Sequence, residues 1–151
     1  MAAPALIRRA LHGLEWLQGL EAPLLLLARL HVAWVFFASG LTKLRNWETT
    51  LTLFTDDYHV PLLPPEAAAW AGTAGELLLP PLLVLGLLDR VPALGLLVVN
   101  AVAVLSLPDI APAAWAQHQL WGVLLVVVAV RGPGAWALPS FWRRIAASAP
   151  R

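Results

Sequence analysis

The sequence predicts an all-α integral membrane protein: a four-helix bundle with short amphipathic helices at the membrane surface. Three observations lead there. Of 151 residues, 60% are hydrophobic and only 13% are charged, where a soluble domain carries about 25% charged residues. The apolar residues fall in blocks approaching the ~20 residues that cross a bilayer core. Two of those blocks hold a charge, Arg29 in one and Glu76 in the other. A charge at mid-span costs about 2.5–3.5 kcal/mol on insertion scales, so it faces a bundle interior, finds a partner and marks a functional site.

The elements follow in order. Ile7, Leu11, Leu14 and Leu17 recur at helical spacing, with Arg8, Arg9, Glu15 and Gln18 off that stripe. Residues 5–18 therefore read as an interfacial helix. The next apolar run contains Arg29 and has no small-x-small cleavage site, so it reads as a first span, 23–44, rather than a signal peptide. Asn46 is placed to cap a second amphipathic segment, 46–58, in which Trp47, Leu51, Phe54 and Tyr58 form one stripe. That segment is either a cover over the bundle or a lid or docking surface. Pro64-Pro65 sets up a second span, 67–88, which Pro80-Pro81 should kink. A turn at Asp89-Arg90 leads to a third span, 91–107, and a fourth follows at 115–130. The tail, 131–151, sets Trp136, Phe141 and Trp142 beside Arg143 and Arg144, as in an interfacial anchor. The whole chain, 1–151, forms a single membrane domain on this reading.

Basic residues in the flanks orient the spans. One side carries Arg8, Arg9, Arg90, Arg131, Arg143, Arg144 and Arg151; the other carries Lys43 and Arg45. Arg90 thus serves topology, and both termini are expected in the cytoplasm.

Inside the bundle, helical geometry decides which polar residues can meet. Arg29, Gly40 and Lys43 share a face of the first span, within about 40°, and His31 points away. Counted from the expected inner ends, Arg29 lies roughly 9 Å deep, Asn100 roughly 13 Å and Glu76 roughly 18 Å. Glu76 then has two candidate partners, Arg29 below it and Lys43 about 12 Å above it. One outcome is a buried ion pair that sets the register of the bundle, with Asn100 a further structural polar group. The other is a site for a polar headgroup such as a quinone. Phe36, Gly40 and Lys43, opposite Glu76 and near His118 and Trp121, would supply donors and aromatic walls, with Gly40 leaving room for a ring.

Other chemistries find little support. There is no cysteine, so thiol and iron–sulfur chemistry is excluded for this chain alone. The histidines, at 12, 31, 59 and 118, show no ligand spacing, and no metal or covalently bound cofactor is expected. Ser39 lacks a nucleophile-elbow motif. Gly72, Gly75 and Gly86 suit close helix contacts. A net charge of +1 without a basic stripe argues against nucleic acid as a partner.

Taken together, Arg29, Phe36-Phe37-Ala38-Ser39-Gly40-Leu41-Thr42-Lys43, Gly72-Thr73-Ala74-Gly75-Glu76, Gly86-Leu87-Leu88-Asp89-Arg90, Asn100 and His118 with Trp121-Gly122 resemble the DoxX family. The similarity spans about Ala28 to Gly134. It is nearest to members that accompany bacterial clusters making modified metal-binding peptides. The resemblance implies a four-helix protein of the bacterial inner membrane. Some relatives are subunits of a thiosulfate:quinone oxidoreductase, and others act with oxidative-stress or detoxification partners. It carries no agreed catalytic set. What it implies here is the membrane subunit of a quinone-linked redox or stress-response system, not catalytic alone. Besides lipid, a soluble redox or metal-handling protein and a second copy of the chain are candidate partners. The alternatives are a non-catalytic assembly partner, for a soluble protein or a modified peptide, and a small transporter lined by Arg29, Lys43 and Glu76.

Reporter fusions test the orientation: a fusion within residues 49–55 and one at the C-terminus should report opposite compartments. The same compartment for both would overturn the span assignment.

Overall fold

A computed structural model describes residues 16–142. Most of the expected interfacial helix at 5–18, and the arginines at 8, 9, 143, 144 and 151, lie outside the described residues. The described chain is all-α, as the composition predicts: α1 (Trp16–Gly19), α2 (Glu21–Arg45), α3 (Trp47–Asp56), α4 (Pro65–Leu85), α5 (Val91–Leu105) and α6 (Pro112–Arg131). Three helical stretches, Trp16–Arg45, Pro65–Leu85 and Pro112–Arg131, are long and apolar enough to cross a membrane. The 15 residues of α5 rise about 22 Å, short of a ~30 Å hydrocarbon core.

α2 packs along α4, α5 lies between α4 and α6, and α6 returns against α2. Phe36, Leu83, Leu96, Leu125 and Val128 meet in the core. Trp34, Leu78, Leu105 and Val130 lie exposed on the outside. That apolar exterior suits a bundle whose solvent is lipid. Small residues allow the close approaches: a Cβ on Gly75 would sit 3.1 Å from Val99, and one on Gly95 would sit 2.7 Å from Leu79.

α3 is the expected amphipathic segment. Asn46 caps it, its Oδ1 accepting from the Thr49 N–H at 3.0 Å. The apolar stripe faces inward: Phe54 packs on Ala68 and Ala69, with Trp47, Leu51 and Tyr58 around it. Thr50 ties α3 to the end of α2 by donating to the Lys43 carbonyl at 2.9 Å. The following segment is tied to the end of α5, the His59 N–H donating to the Ser106 carbonyl at 2.8 Å. The segment 46–58 therefore covers one end of the bundle.

α4 runs unbroken through Pro80-Pro81, so two carbonyls of its ladder lose their usual donors. Its far end is closed by a Schellman turn around Gly86, at φ 69°. The Gly86 N–H reaches the Leu83 carbonyl at 3.2 Å, and the Leu87 N–H reaches the Leu82 carbonyl at 3.0 Å. Gly86 thus ends a helix rather than serving as a plain helix contact. A Cβ there would also fall 2.5 Å from Ala137 and 2.9 Å from Pro133, because the segment after α6 packs beneath.

Arg29 completes this cap. Its Nε donates to the Leu83 carbonyl at 2.9 Å, and its Nη2 donates to the Val84 carbonyl. Its Nη1 donates to the Pro133 carbonyl at 2.5 Å. The residue is only 1% exposed. A cation among the last carbonyls of a helix meets both their hydrogen-bonding capacity and the negative end of the helix dipole. Arg29 therefore pairs with backbone, not with Glu76 as the depth count allowed.

Arg29→Lys keeps the charge but loses the planar fork, leaving buried carbonyls undersatisfied at about 1–3 kcal/mol each. Its melting temperature in detergent should fall clearly, and that of Gly86→Ala should fall as well. An unchanged Arg29→Lys melting curve would show that the cap is not needed.

Candidate functional site

The two charges left in the bundle find each other. Lys43 Nζ lies 2.5 Å from Glu76 Oε2, and their side chains are only 19% and 9% exposed. Ser39 closes the group: its hydroxyl accepts from Lys43 Nζ at 3.0 Å and donates to Glu76 Oε1 at 3.2 Å. Ser39 and Lys43 stand four residues apart, on one face of α2. Every carboxylate oxygen of Glu76 thus has a donor, which is what a carboxylate in an apolar bundle requires.

The reason Lys43 wins over Arg29 is register. A Cβ on Gly40 would lie 2.8 Å from Leu77 Cγ and 3.1 Å from Glu76 Cβ, so Gly40 is level with Glu76 and Leu77. Counting inward from there, Leu85 is roughly level with position 32 of α2, about 16 Å beyond Glu21. The end of α4 is recessed, whereas the depth count set both inner ends at one level. The recess lifts Glu76 to Lys43 and leaves a gap that Arg29 and residues 132–137 fill. Two expected ligand residues are thereby corrected. Arg29 caps a helix, and Gly40 is filled space between α2 and α4 rather than room for a ring.

Beside the triad lies a cavity of about 510 Å³. Phe36, Ser39 and Lys43 of α2, Gly72 and Glu76 of α4, Val99 and Val102 of α5, and His118 and Trp121 of α6 line it. Phe54 and Tyr58 close it from the covering segment. Phe36 and Trp121 meet edge to face with ring centres 6.0 Å apart, and His118 stands against Trp121 at 4.8 Å. The structure thus brings Phe36, Lys43, Glu76, His118 and Trp121 to one cavity, and leaves Arg29 and Gly40 off it. Arg90 lies in the exposed turn after α4, 3.9 Å from Asp89.

Asn100 is bound to His118. Its amide nitrogen donates to the His118 carbonyl at 3.0 Å, and its oxygen faces His118 Nδ1 at 2.8 Å. Tyr58 stands at the mouth, outside the spans. Burial, then the charges of Asp57 and Glu76, hold its phenol above the ordinary tyrosine value. It stays a neutral donor as pH rises past the point where a free tyrosine ionises. In the sequence Tyr58 falls in one stripe with Trp47, Leu51 and Phe54, and Ser39 shows no nucleophile-elbow motif. The i, i+4 spacing of Ser39 and Lys43 was the signal available for the latter. Among the described residues no group of His, Cys, Asp and Glu is arranged to hold a metal ion.

Residues 24–109 match the DoxX family model. The chain belongs to the DoxX family. It is also 28% identical, over 130 residues, to an uncharacterized protein of Haemophilus influenzae, covering 80% of this chain and 84% of that protein. No solved structure matches. The match to the DoxX model takes in the whole Ser39–Lys43–Glu76 triad and Asn100, and stops short of His118 and Trp121.

Spectrophotometric titration checks the electrostatics at the mouth. Tyr58, the sole tyrosine, should ionise above the ordinary value, and Glu76→Gln should bring its titration back toward it. A wild-type titration at the ordinary value would contradict the described burial.

Proposed function

We propose that this DoxX protein is the membrane subunit of a quinone-linked redox or stress-response system in the bacterial inner membrane, with both termini cytoplasmic. The observation that carries this reading is the composition of the cavity. It has apolar and aromatic walls with a few convergent polar groups, the usual character of a small-molecule site. The residues present suit a quinone headgroup. Lys43 has three protons and gives two of them to Ser39 and Glu76, so one remains for a ligand oxygen. The Tyr58 hydroxyl has no hydrogen-bond partner among the described residues and is a second donor. Phe36 and Trp121 would flank the ring, and the lipid-facing exterior would take an isoprenoid tail. A quinone, when bound, supplies paired electron and proton carriage, which none of these side chains provides. The soluble chemistry would fall to a redox or metal-handling partner protein.

One observation favours a second reading. The Ser39–Lys43–Glu76 triad is closed on itself, as a register device would be, and a non-catalytic membrane partner for a soluble protein or modified peptide needs no more. The transporter reading loses its support with Arg29, which lies off the cavity on the end of α4.

Ligand binding separates the two readings. A Cβ on Gly72 would meet only Phe54, at 3.7 Å, so Gly72→Leu fills the cavity without prying helices apart. Purified protein in nanodiscs should show saturable quenching of tryptophan fluorescence by a decyl-substituted benzoquinone. Gly72→Leu should abolish it with little change in melting temperature. Lys43→Met should weaken it by about tenfold or more, the scale of a hydrogen bond from a charged donor. No saturable quenching would leave the assembly-partner reading.

A further inference from the structure

Asn100 and His118 engage each other twice, and the two contacts together determine a proton position. The amide nitrogen of Asn100 donates to the His118 backbone carbonyl at 3.0 Å, so the oxygen must be the end that faces the ring. That oxygen lies 2.8 Å from Nδ1. An amide oxygen only accepts, so the proton of the neutral imidazole sits on Nδ1 and the lone pair on Nε2. His118 lines the cavity, and its Nε2 has no hydrogen-bond partner among the described residues. The cavity therefore holds an acceptor on α6 as well as the spare donor of Lys43 on α2.

We infer that Asn100 is a positioning residue which makes His118 a hydrogen-bond acceptor, so that the cavity selects a hydroxyl-bearing, reduced headgroup over its oxidised form. This rests on the quinone reading of the cavity. A hydroquinone has what both side chains need: one hydroxyl donates to Nε2, and the other oxygen accepts from Lys43. A quinone has two carbonyl oxygens and no donor. It can accept from Lys43 and Tyr58 but offers nothing to Nε2, so an acceptor desolvated by the bound ring is left unpaired. The discrimination resembles that of any buried site built for a hydroxyl, which rejects the analogue lacking it. Binding alone is involved, and no bond or electron changes hands.

The experiment compares the decyl-substituted benzoquinone with its hydroquinone, under anaerobic conditions, on the full chain in nanodiscs. The hydroquinone should bind about tenfold more tightly, the scale of one net hydrogen bond. Asn100→Leu should bring the ratio to about one by weakening the hydroquinone alone. Nitrogen-15 NMR of labelled histidine reads the proton position without any ligand, and should report the Nδ1–H form of His118 in the wild type. Equal affinities, tighter binding of the quinone, or an Nε2–H ring would overturn the inference and leave the quinone reading standing. Absence of binding by either form would overturn both. Should Asn100→Leu fail to fold, the wild-type ratio and the wild-type NMR spectrum decide.

Discussion

Hydrocarbon offers no hydrogen bonds, and that constraint organises this protein. The charged groups carried into the bundle are each met by another part of the chain, while the buried Thr73 hydroxyl is left without a partner among the described residues. The most consequential case is Arg29. Its guanidinium is spread across the carbonyls of Leu83, Val84 and Pro133, and so holds the recessed end of α4 and the segment after α6 in one place. The Schellman turn at Gly86 takes the Leu82 carbonyl and shares that of Leu83. With these contacts a helix can end inside the bundle. Without them its last carbonyls would face an apolar interior unpaired.

The recess has effects at the other end of the molecule. Because α4 starts its rise further out, Glu76 arrives beside Lys43 and Ser39 rather than beside Arg29. The covering helix α3 then lies over the N-terminal part of α4, with Phe54 seated on Ala68 and Ala69. Between that cover and the helix core remains the cavity. Structural and candidate functional polar groups differ here in what they have left over. All three guanidinium nitrogens of Arg29 are spent on backbone. Lys43 keeps a proton, His118 keeps Nε2, and Tyr58 keeps its hydroxyl, and all three line the cavity. Several groups with spare hydrogen-bonding capacity turned to one cavity, rather than charge, single out this site.

Much of the fold was legible in the sequence. Block hydrophobicity gave the all-α membrane class, the Trp47–Tyr58 stripe gave α3, and Asn46 gave its cap. The residue combinations around Gly40, Glu76 and Arg90 pointed to the DoxX family, which the match over 24–109 establishes. The site was legible as a set of residues and not as a set of partners. Pairing depends on the relative height of two helices, and height was counted from ends that the sequence does not reveal. Leu85, not Leu88, ends α4, and nothing local announces that this end is recessed. Gly40 shows the same limit from another side. A glycine on the correct face can mean space for a ligand or contact with a neighbour, and only the proximity of Leu77 decides for contact. The link between Asn100 and His118 crosses two helices, so no spacing in the chain could announce it.

The measurement that tests the account most directly is photoaffinity labelling with an azido-quinone, with the labelled residues mapped by mass spectrometry. If the cavity is a headgroup site, the label falls on the α2 segment 35–43 and the α6 segment 115–121, and unlabelled quinone competes it away. Label spread over lipid-facing positions such as Leu78 and Val130, unaffected by competitor, would contradict the account. The cavity would then be packing space beneath α3, and the Lys43–Glu76 pair a device of architecture alone.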